Sequence, residues 1–262
     1  MRQAFATLLR MLYRAVVHSG LLELPWAQRV FLWAYGHYKQ RLEARHAERL
    51  VAWVPAGGVV IDVGANVGFF TLKFAHWVGP SGQVLAFEPA PRNVEHLSNA
   101  LTKAKLAARV IIVAAAAAER AGSAYLELNP FHPGDHKLGA QGVPIEVTTL
   151  DLQVSAWGLK RVDLVKMDVQ GAEHLVIAGA QETLRHWQPV LYVEIDDHNL
   201  HRYQANAAQL IDELLSLGYH AHTLDAQGVS PPITTAGACA WLARRGYADL
   251  LFLPSQAHAS EA

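Results

Sequence analysis

Residues 59–70 read VVIDVGANVGFF, and this stretch decides the fold. A short apolar run is typical of a buried strand, and a strand, a glycine turn and a helix start together form an anion site. Two phosphate motifs are excluded. The dinucleotide fingerprint counted from Gly64 needs glycines where Asn66 and Phe69 stand, and no Gly-Lys-Ser/Thr follows. Asp62 would also repel a phosphate, so the turn favours a ligand with a positive charge or hydroxyl groups.

The rest of the chain alternates short apolar runs with helical segments, which predicts a parallel α/β sheet. Strands are predicted at Val59–Val63, Val84–Phe87, Val110–Val113, Val162–Met167 and Val190–Glu194. Helices are predicted at about Val67 to Val78, from Pro91 onward, after Gly171 and at about Ala205 to Leu217, before Gly218.

Two segments depart from this alternation. AYLEL (124–128) and PIEVTTLDL (144–152) are predicted as the arms of an inserted β-hairpin around the polar loop 129–143. DLLFLP (249–254) is predicted as one more strand. We therefore assign residues 57–254 to the main domain and expect residues 255–262 to form a disordered tail.

Residues 1–56 are predicted to form an N-terminal helical extension. Its first 20 residues have apolar side chains on one side and arginines on another, and a second helix is expected from about Pro25 to Trp53. An amphipathic helix of this kind could lie on an anionic membrane surface. Packing on the domain is favoured, and no apolar run approaches the roughly 20 residues that a spanning helix needs.

Composition excludes several classes of protein. The 262 residues carry a net charge of -1, which does not favour nucleic-acid binding. Cys239 is the only cysteine, so an internal disulfide and a cysteine-based zinc site are excluded, and a reducing cytoplasm is the simplest location. The oligomeric state cannot be read from the sequence.

Acids at the ends of two strands indicate the ligand. S-adenosylmethionine carries an ammonium that Asp62 could bind, directly or through water, and a carboxylate that could meet the N–H groups of the turn. Glu88 follows the second strand, 20 residues after Gly68, where an acid can accept hydrogen bonds from both ribose hydroxyls. NAD enzymes also carry that acid. Only the combination of these two acids with a glycine spacing that does not fit NAD favours S-adenosylmethionine.

The motifs resemble the FkbM-type, S-adenosylmethionine-dependent methyltransferases. The resemblance rests on DVGANVGFFTLKFAHWVGPSGQVLAFEPAPRNVEHL, then TLDL (149–152), DLVKMDVQGAEHLVIAGA and QPVLYVEID, in this order. It implies the class I methyltransferase fold, which is Rossmann-like: a seven-stranded, mostly parallel sheet with an antiparallel last strand and helices on both faces.

The same resemblance implies which residues bind the cofactor. Asp62, Gly64, Asn66, Gly68 and Phe69 would surround its methionine part, Glu88 and Pro89 its ribose, and Ala115 and Ala116 its adenine, with Asp168 also in contact. One position departs from the family pattern, because Gln170 stands where members usually carry an acid. If that acid is a base or a metal ligand, activity would be impaired; if it only holds a loop, glutamine can serve.

Catalytic candidates lie where the strands end, because ligands of open α/β sheets bind beyond the carboxyl ends of the strands. Asp168 is the first candidate for a general base, Glu194 ends the neighbouring strand, and His136 in the polar loop is a second candidate base. Asp168 could equally serve only as a helix cap or a cofactor contact. Acids at these strand ends could also hold Mg²⁺, but paired acids are more often hydrogen-bonded, so a metal is not favoured.

These observations predict an S-adenosylmethionine-dependent O-methyltransferase. Its acceptor would be a hydroxyl of a sugar, glycan, polyketide or related natural product, and the preference for oxygen comes from the family alone. The alternatives are an N-methyltransferase with the same cofactor site, or a catalytically silent module with this fold that serves as a scaffold. A NAD dehydrogenase is a more distant alternative.

Overall fold

The computed structural model describes residues 46–129 and 136–255. Most of the predicted N-terminal extension, with its amphipathic helix, lies outside these residues, as do positions 130–135 of the polar loop and 256–262 of the tail. The described end of the extension forms a 3₁₀ helix at Ala47–Trp53, where the sequence predicted the end of a longer helix.

Eleven strands form within the described residues. They are β1 (Val59–Val63), β2 (Gln83–Phe87), β3 (Val110–Val113), β4 (Ala116–Ala117), β5 (Gly122–Glu127), β6 (Lys137–Gly139), β7 (Val143–Thr148), β8 (Leu164–Met167), β9 (Val190–Asp196), β10 (Tyr219–Thr223) and β11 (Tyr247–Pro254). Seven of them make one sheet in the order β10-β11-β9-β8-β1-β2-β3. The five strands from β9 to β3 are parallel, and β11 runs antiparallel to both its neighbours. The predicted seven-stranded, mostly parallel sheet is confirmed.

Helices cover both faces of this sheet. They are α1 (Phe69–Trp77), α2 (Pro91–Ala104), α3 (Leu150–Ala156), α4 (Glu173–Ala178), α5 (Gln181–Trp187), α6 (Asp197–Leu200), α7 (Ala207–Ser216) and α8 (Thr235–Arg245), with short 3₁₀ helices at Ala107–Arg109 and His201–Tyr203. Successive side chains of a strand point to opposite faces. Ile61 and Val63 accordingly join a core with α3, α4, α5, α7 and α8, whereas Val60 joins a core with α1 and α2.

The inserted segment is larger than the predicted hairpin. Its two arms, β5 and β7, do pair antiparallel, but β6 adds to β5 and β4 adds to β7, giving a four-stranded sheet. The second arm was also predicted too long. Its last residues, TLDL, begin α3, because the Thr149 side chain accepts a hydrogen bond from the Leu152 N–H and starts a helix there.

Several further elements differ from the prediction. Strand β8 begins at Leu164 rather than Val162, although Val162 is buried. Sequence reasoning missed β10 and α8. Strand β10 reads YHAHT, and an edge strand with two histidines gives only a weak apolar signal. Among the described residues, none of the helices combines the length and apolar character that crossing a membrane requires.

Candidate active site

A cleft opens where β1, β2 and β8 end. Its lining comes from the turns after these strands, from α2 and from the small sheet: Val63, Gly64, Asn66, Phe87, Glu88, Pro89, Asn93, Ala115, Ala116, Ala117, Leu126, His136, Leu138, Asp168, Val169, Gln170 and Ala172. Parallel strands bring the residues that follow them to one edge of the sheet, which explains why distant motifs meet here.

Glycine is required in the turn after β1. Gly64 has φ +80°, and a Cβ there would lie 2.0 Å from the backbone oxygen of Asp168, so the turn passes directly against the end of β8. Gly68 has φ +96° and precedes α1, and a Cβ there would lie 2.6 Å from Leu97 Cδ1. Both positions have a left-handed backbone that favours glycine, and at Gly64 a side chain would also clash with backbone.

Glu88 connects the first two turns of the site. Its Oε2 accepts from the Asn66 N–H at 2.7 Å, and its Oε1 accepts from the Ala90 N–H at 2.9 Å and from Asn93 Nδ2 at 3.3 Å. Burial raises the pKa of this carboxyl to about 7, because desolvation disfavours its charge more than these hydrogen bonds favour it. Glu88 therefore stands in the cleft as a carboxyl that ionises near neutral pH.

Asn66 offers an unsatisfied acceptor in the same cleft. Its backbone has φ +51°, and its Oδ1 is buried without a hydrogen-bond partner. A buried polar atom without a partner is rare in folded proteins and calls for an explanation, such as a missing ligand. A ligand that donates a hydrogen bond at this position would satisfy it.

Asp62 has a cationic partner inside the protein. It is fully buried, accepts from Thr71 Oγ1 at 2.6 Å and lies 3.3 Å from Lys166 Nζ, which is itself 3% exposed. Lys166 also donates to the Gly64 backbone oxygen at 2.9 Å and lies 3.8 Å from Asp168 Oδ2. Asp62 does not line the cleft, so its contact with a ligand ammonium stays a prediction.

Asp168 and Glu194 are joined by Gln170. The Gln170 Nε2 donates to Asp168 Oδ1 at 2.9 Å and to Glu194 Oε1 at 3.1 Å. Asp168 lines the cleft, whereas Glu194 does not, and this amide connects the two. The two carboxylates that the sequence predicted as neighbours are thus connected through a third residue.

Glu173 holds the loop between Asp168 and α4. Its Oε1 accepts from the N–H groups of Val169 at 3.1 Å and Gly171 at 3.2 Å, and its Oε2 is buried without a partner. Burial raises the pKa of Glu173 to about 7, and the nearby Asp168 contributes in the same direction. This carboxyl fixes the loop backbone that carries Gln170.

His136 lines the cleft from the start of the small sheet. Its Nδ1 accepts a hydrogen bond from the Asn129 N–H at 3.1 Å. A neutral imidazole whose Nδ1 accepts must carry its proton on Nε2. This tautomer fits a hydrogen-bond donor better than the base that the sequence predicted.

Eight of the predicted site residues line the cleft: Gly64, Asn66, Glu88, Pro89, Ala115, Ala116, His136 and Asp168. Four do not: Asp62, Gly68, Phe69 and Glu194. Sequence reasoning missed Lys166 and Asn93. A lone lysine inside the apolar strand segment DLVKM was the signal that could have indicated a buried charge.

The cleft fits the chemistry of S-adenosylmethionine. The buried acceptor of Asn66 suits a donor such as an ammonium, and Glu88 suits the hydroxyls of a ribose. Within the described ranges, no group of three or more histidine, cysteine, aspartate or glutamate side chains is arranged to hold a metal ion.

Comparison with known proteins identifies the family. The model of the methyltransferase FkbM domain matches residues 62–221, more than half of the chain. The methyltransferase sdnD of Sordaria araneosa is 28% identical over 180 residues, which cover 56% of this chain and 68% of that protein. The 2-O-methyltransferase NoeI of Sinorhizobium fredii is 31% identical over 180 residues, covering 60% and 71%. A solved structure of a methyltransferase FkbM from Methylobacillus flagellatus has a TM-score of 0.47 and 19% identity; the match covers 74% of this chain but only 43% of that one.

The sheet and the matched domain define an S-adenosylmethionine-dependent methyltransferase of class I, as the sequence predicted. Within that class, the chain belongs to the FkbM methyltransferase family.

Proposed function

We propose that this chain methylates a hydroxyl oxygen of a small polar acceptor such as a sugar, a glycan, a polyketide or a related natural product. The observation that carries the proposal is the shared cleft, in which Asp168 lies with Glu88 and the unsatisfied Asn66 Oδ1. Two curated relatives support oxygen as the acceptor atom, since their names are 2-O-methyltransferase NoeI and 31-O-demethyl-FK506 methyltransferase FkbM.

Cofactor binding would fall to the turns after β1, β2 and β3. Glu88 would accept from the ribose hydroxyls, Asn66 Oδ1 would accept from the amino-acid end, and Ala115 and Ala116 would pack beside the adenine. When bound, the cofactor supplies a methyl group that is already activated on a sulfonium. The chain therefore has only to align the acceptor, exclude water and remove one proton.

Asp168 is the proposed general base. It directly follows β8 and lines the cleft, and because its Oδ1 accepts from Gln170 Nε2, we assign Oδ2 to the acceptor hydroxyl. Lys166 lies 3.8 Å from Oδ2 and favours the charged form that a base needs. His136, with its proton on Nε2, would donate to another oxygen of the acceptor and orient it.

The role of Mg²⁺ is tested separately. We expect activity to persist in EDTA, because the amide of Gln170 donates to both strand-end carboxylates that a cation would need. Loss of activity in EDTA that Mg²⁺ restores would contradict this expectation.

Calorimetry and product analysis test the proposal. S-adenosylhomocysteine should bind and NAD should not, and S-adenosylhomocysteine should form when S-adenosylmethionine is supplied with hydroxylated acceptors. Asp168→Asn should lower the rate by about 100-fold, the low end for loss of a general base. Asp212→Asn is the matched control, because Asp212 is exposed on α7, away from the cleft.

The alternatives predict other outcomes of the same assay. Products formed only with amine acceptors would favour an N-methyltransferase. Cofactor binding without turnover on any acceptor class would favour a silent module. Binding of NAD in place of S-adenosylhomocysteine would refute the proposal altogether.

A further inference from the structure

Gln170 lies between two carboxylates from neighbouring strands. An amide nitrogen carries two hydrogens, and here one points to Asp168 Oδ1 at 2.9 Å and the other to Glu194 Oε1 at 3.1 Å. Strands β8 and β9 pair in parallel, so Asp168, directly after β8, and Glu194, near the end of β9, lie side by side at one edge of the sheet. Two carboxylates around one amide nitrogen raise the pKa of each other unless hydrogen-bond donors offset their repulsion.

The direction of the Gln170 amide is set from the small sheet. Lys137 Nζ donates to Asn199 Oδ1 at 2.9 Å, and an ammonium can only donate. The Asn199 amide nitrogen must then face the other way, where it donates to Gln170 Oε1 at 3.4 Å and to Asp196 Oδ2 at 3.0 Å. The Gln170 oxygen is thereby turned to Asn199 and its nitrogen to the two carboxylates.

The backbone holds Gln170 in this position. Its φ is +56°, a left-handed conformation that a non-glycine residue keeps only where the surroundings enforce it. Glu173 supplies that enforcement, because its Oε1 accepts from the N–H groups on either side of Gln170. The loop is therefore built to present this one amide.

The charges around Asp168 and Glu194 are mixed. On β8, Lys166 lies 3.8 Å from Asp168 and is itself paired with Asp62 of β1. The charge of Asp168 contributes to raising the pKa of Glu173 on α4 and of Tyr192 on β9. Asp249 of β11 lies opposite Glu194 in the strand register. Further ionisable groups nearby among the described residues are Glu88 and His136, which line the same cleft, and Asp196, which is reached through Asn199. Most of these neighbours are acidic, so the amide hydrogens oppose a net repulsion.

We propose that Gln170 is a positioning residue whose amide holds Asp168 and Glu194 as two ionised acceptors, with Lys137 fixing the direction of the amide through Asn199. The proposal deepens the proposed function and rests on it only in naming Asp168 as the base. In this chain the amide takes the place that a shared proton or a cation would occupy between two carboxylates. Gln170 then has a positioning role of its own in this chain.

Carboxyl NMR of the protein without substrate tests this proposal. The full chain is labelled with ¹³C at the Asp and Glu carboxyls, and the two signals are assigned with Asp168→Asn and Glu194→Gln. In Gln170→Met, which keeps the length but loses the amide, the first titration midpoint of the pair should rise by about one pH unit or more. Lys137→Met should move it in the same direction by less, because Asn199 loses the donor to its oxygen while Asp196 Oδ2 still accepts from its nitrogen.

A matched control variant distinguishes the loss of this particular amide from the loss of any side-chain amide hydrogen bond. Gln181→Met removes another amide hydrogen bond, to the Ile177 backbone oxygen, and should leave both midpoints unchanged. If Gln170→Met fails to fold, Gln170→Asn replaces it, since an amide shorter by one methylene reaches only one carboxylate. Gln170→Glu should raise the midpoint as well, because it adds a third carboxylate.

Unchanged midpoints in Gln170→Met and Lys137→Met, within about 0.3 pH unit, would overturn the proposal. So would a large gain in methyl transfer for Gln170→Glu, which would show that glutamine is a lesion. Calorimetry with S-adenosylhomocysteine is run on the same samples. Loss of the proposed function would appear there as absent binding in the unaltered chain, whereas failure of the amide role appears in the NMR midpoints or in the Gln170→Glu assay while that binding persists.

Discussion

The buried pair of Asp62 and Lys166 gives the sharpest test of the site. In Lys166→Met, the Asp62 carboxylate stays fully buried and keeps only the Thr71 hydroxyl, and the Gly64 oxygen loses its donor. The two charges lie 3.3 Å apart, which corresponds to about 5 kcal/mol at an effective dielectric constant of about 20. Measured losses on breaking buried pairs are about 3–5 kcal/mol, and we expect that loss in the free energy of unfolding.

A balanced double variant isolates the charge. Asp62→Asn with Lys166→Met leaves two neutral side chains, and the amide oxygen of the introduced asparagine can still accept from Thr71. We expect the double variant to recover to within about 2 kcal/mol of the unaltered chain, because the uncompensated charge is gone while the Gly64 oxygen remains without its donor.

Urea denaturation followed by circular dichroism measures both variants. A loss below about 1 kcal/mol in the single variant would refute the reasoning, since an exposed pair behaves in that way. A double variant as unstable as the single one would also refute it. If both expectations hold, weak cofactor binding by an Asp62 variant reflects a distorted turn rather than a missing contact with the ligand ammonium.

Single residues give three further predictions. Gly64→Ala should abolish S-adenosylhomocysteine binding in calorimetry, because its Cβ would meet the Asp168 backbone oxygen at 2.0 Å; unchanged affinity would contradict the close approach. Since the pKa of Glu88 is raised to about 7 and ribose hydroxyls need its charged form, S-adenosylhomocysteine should bind about eightfold more weakly at about pH 6 than at about pH 7.5, and Glu88→Gln should remove this dependence. Glu173 also has its pKa raised to about 7, so the native state holds its proton longer than the unfolded state, and stability falls as pH rises from about 4.5 to 7. Glu173→Gln should flatten the urea-derived stability profile by about 3 kcal/mol over that range, and an unchanged slope would count against the burial of this carboxyl.

The central strands of the main sheet could be predicted because they are buried on both faces. A continuous apolar run such as Val84–Phe87 carries that signal directly. The small sheet could be predicted only in part. Strand β6 has only three residues, too few to show the alternation of apolar and polar side chains that indicates a strand. Strand β10 of the main sheet lies at an edge and contains two histidines, so its apolar signal is weak.

The sequence predicted which residues belong to the candidate site better than it predicted the contacts between them. Motif spacing located Glu88 and Asp168 in one cleft, since strand ends meet at one edge. Spacing could not show that Asp62 turns away toward Lys166, because the face on which a strand residue lies depends on register and packing. The link from Lys137 to Gln170 joins two sheets distant in sequence, and no local pattern encodes it.

The antiparallel strand β11 has a consequence for the order of folding during synthesis. It lies between β9 and β10, so β10 has no neighbour in the sheet until the later segment Tyr247–Pro254 has been made. Chains are synthesised from the N-terminus at about 5–20 residues per second, and the exposed edge of β9 must wait for that interval. The strands whose ends form the cleft can pair first, and β11 then inserts between β9 and β10. A nascent chain halted before β11 should therefore expose a strand edge that chaperones recognise.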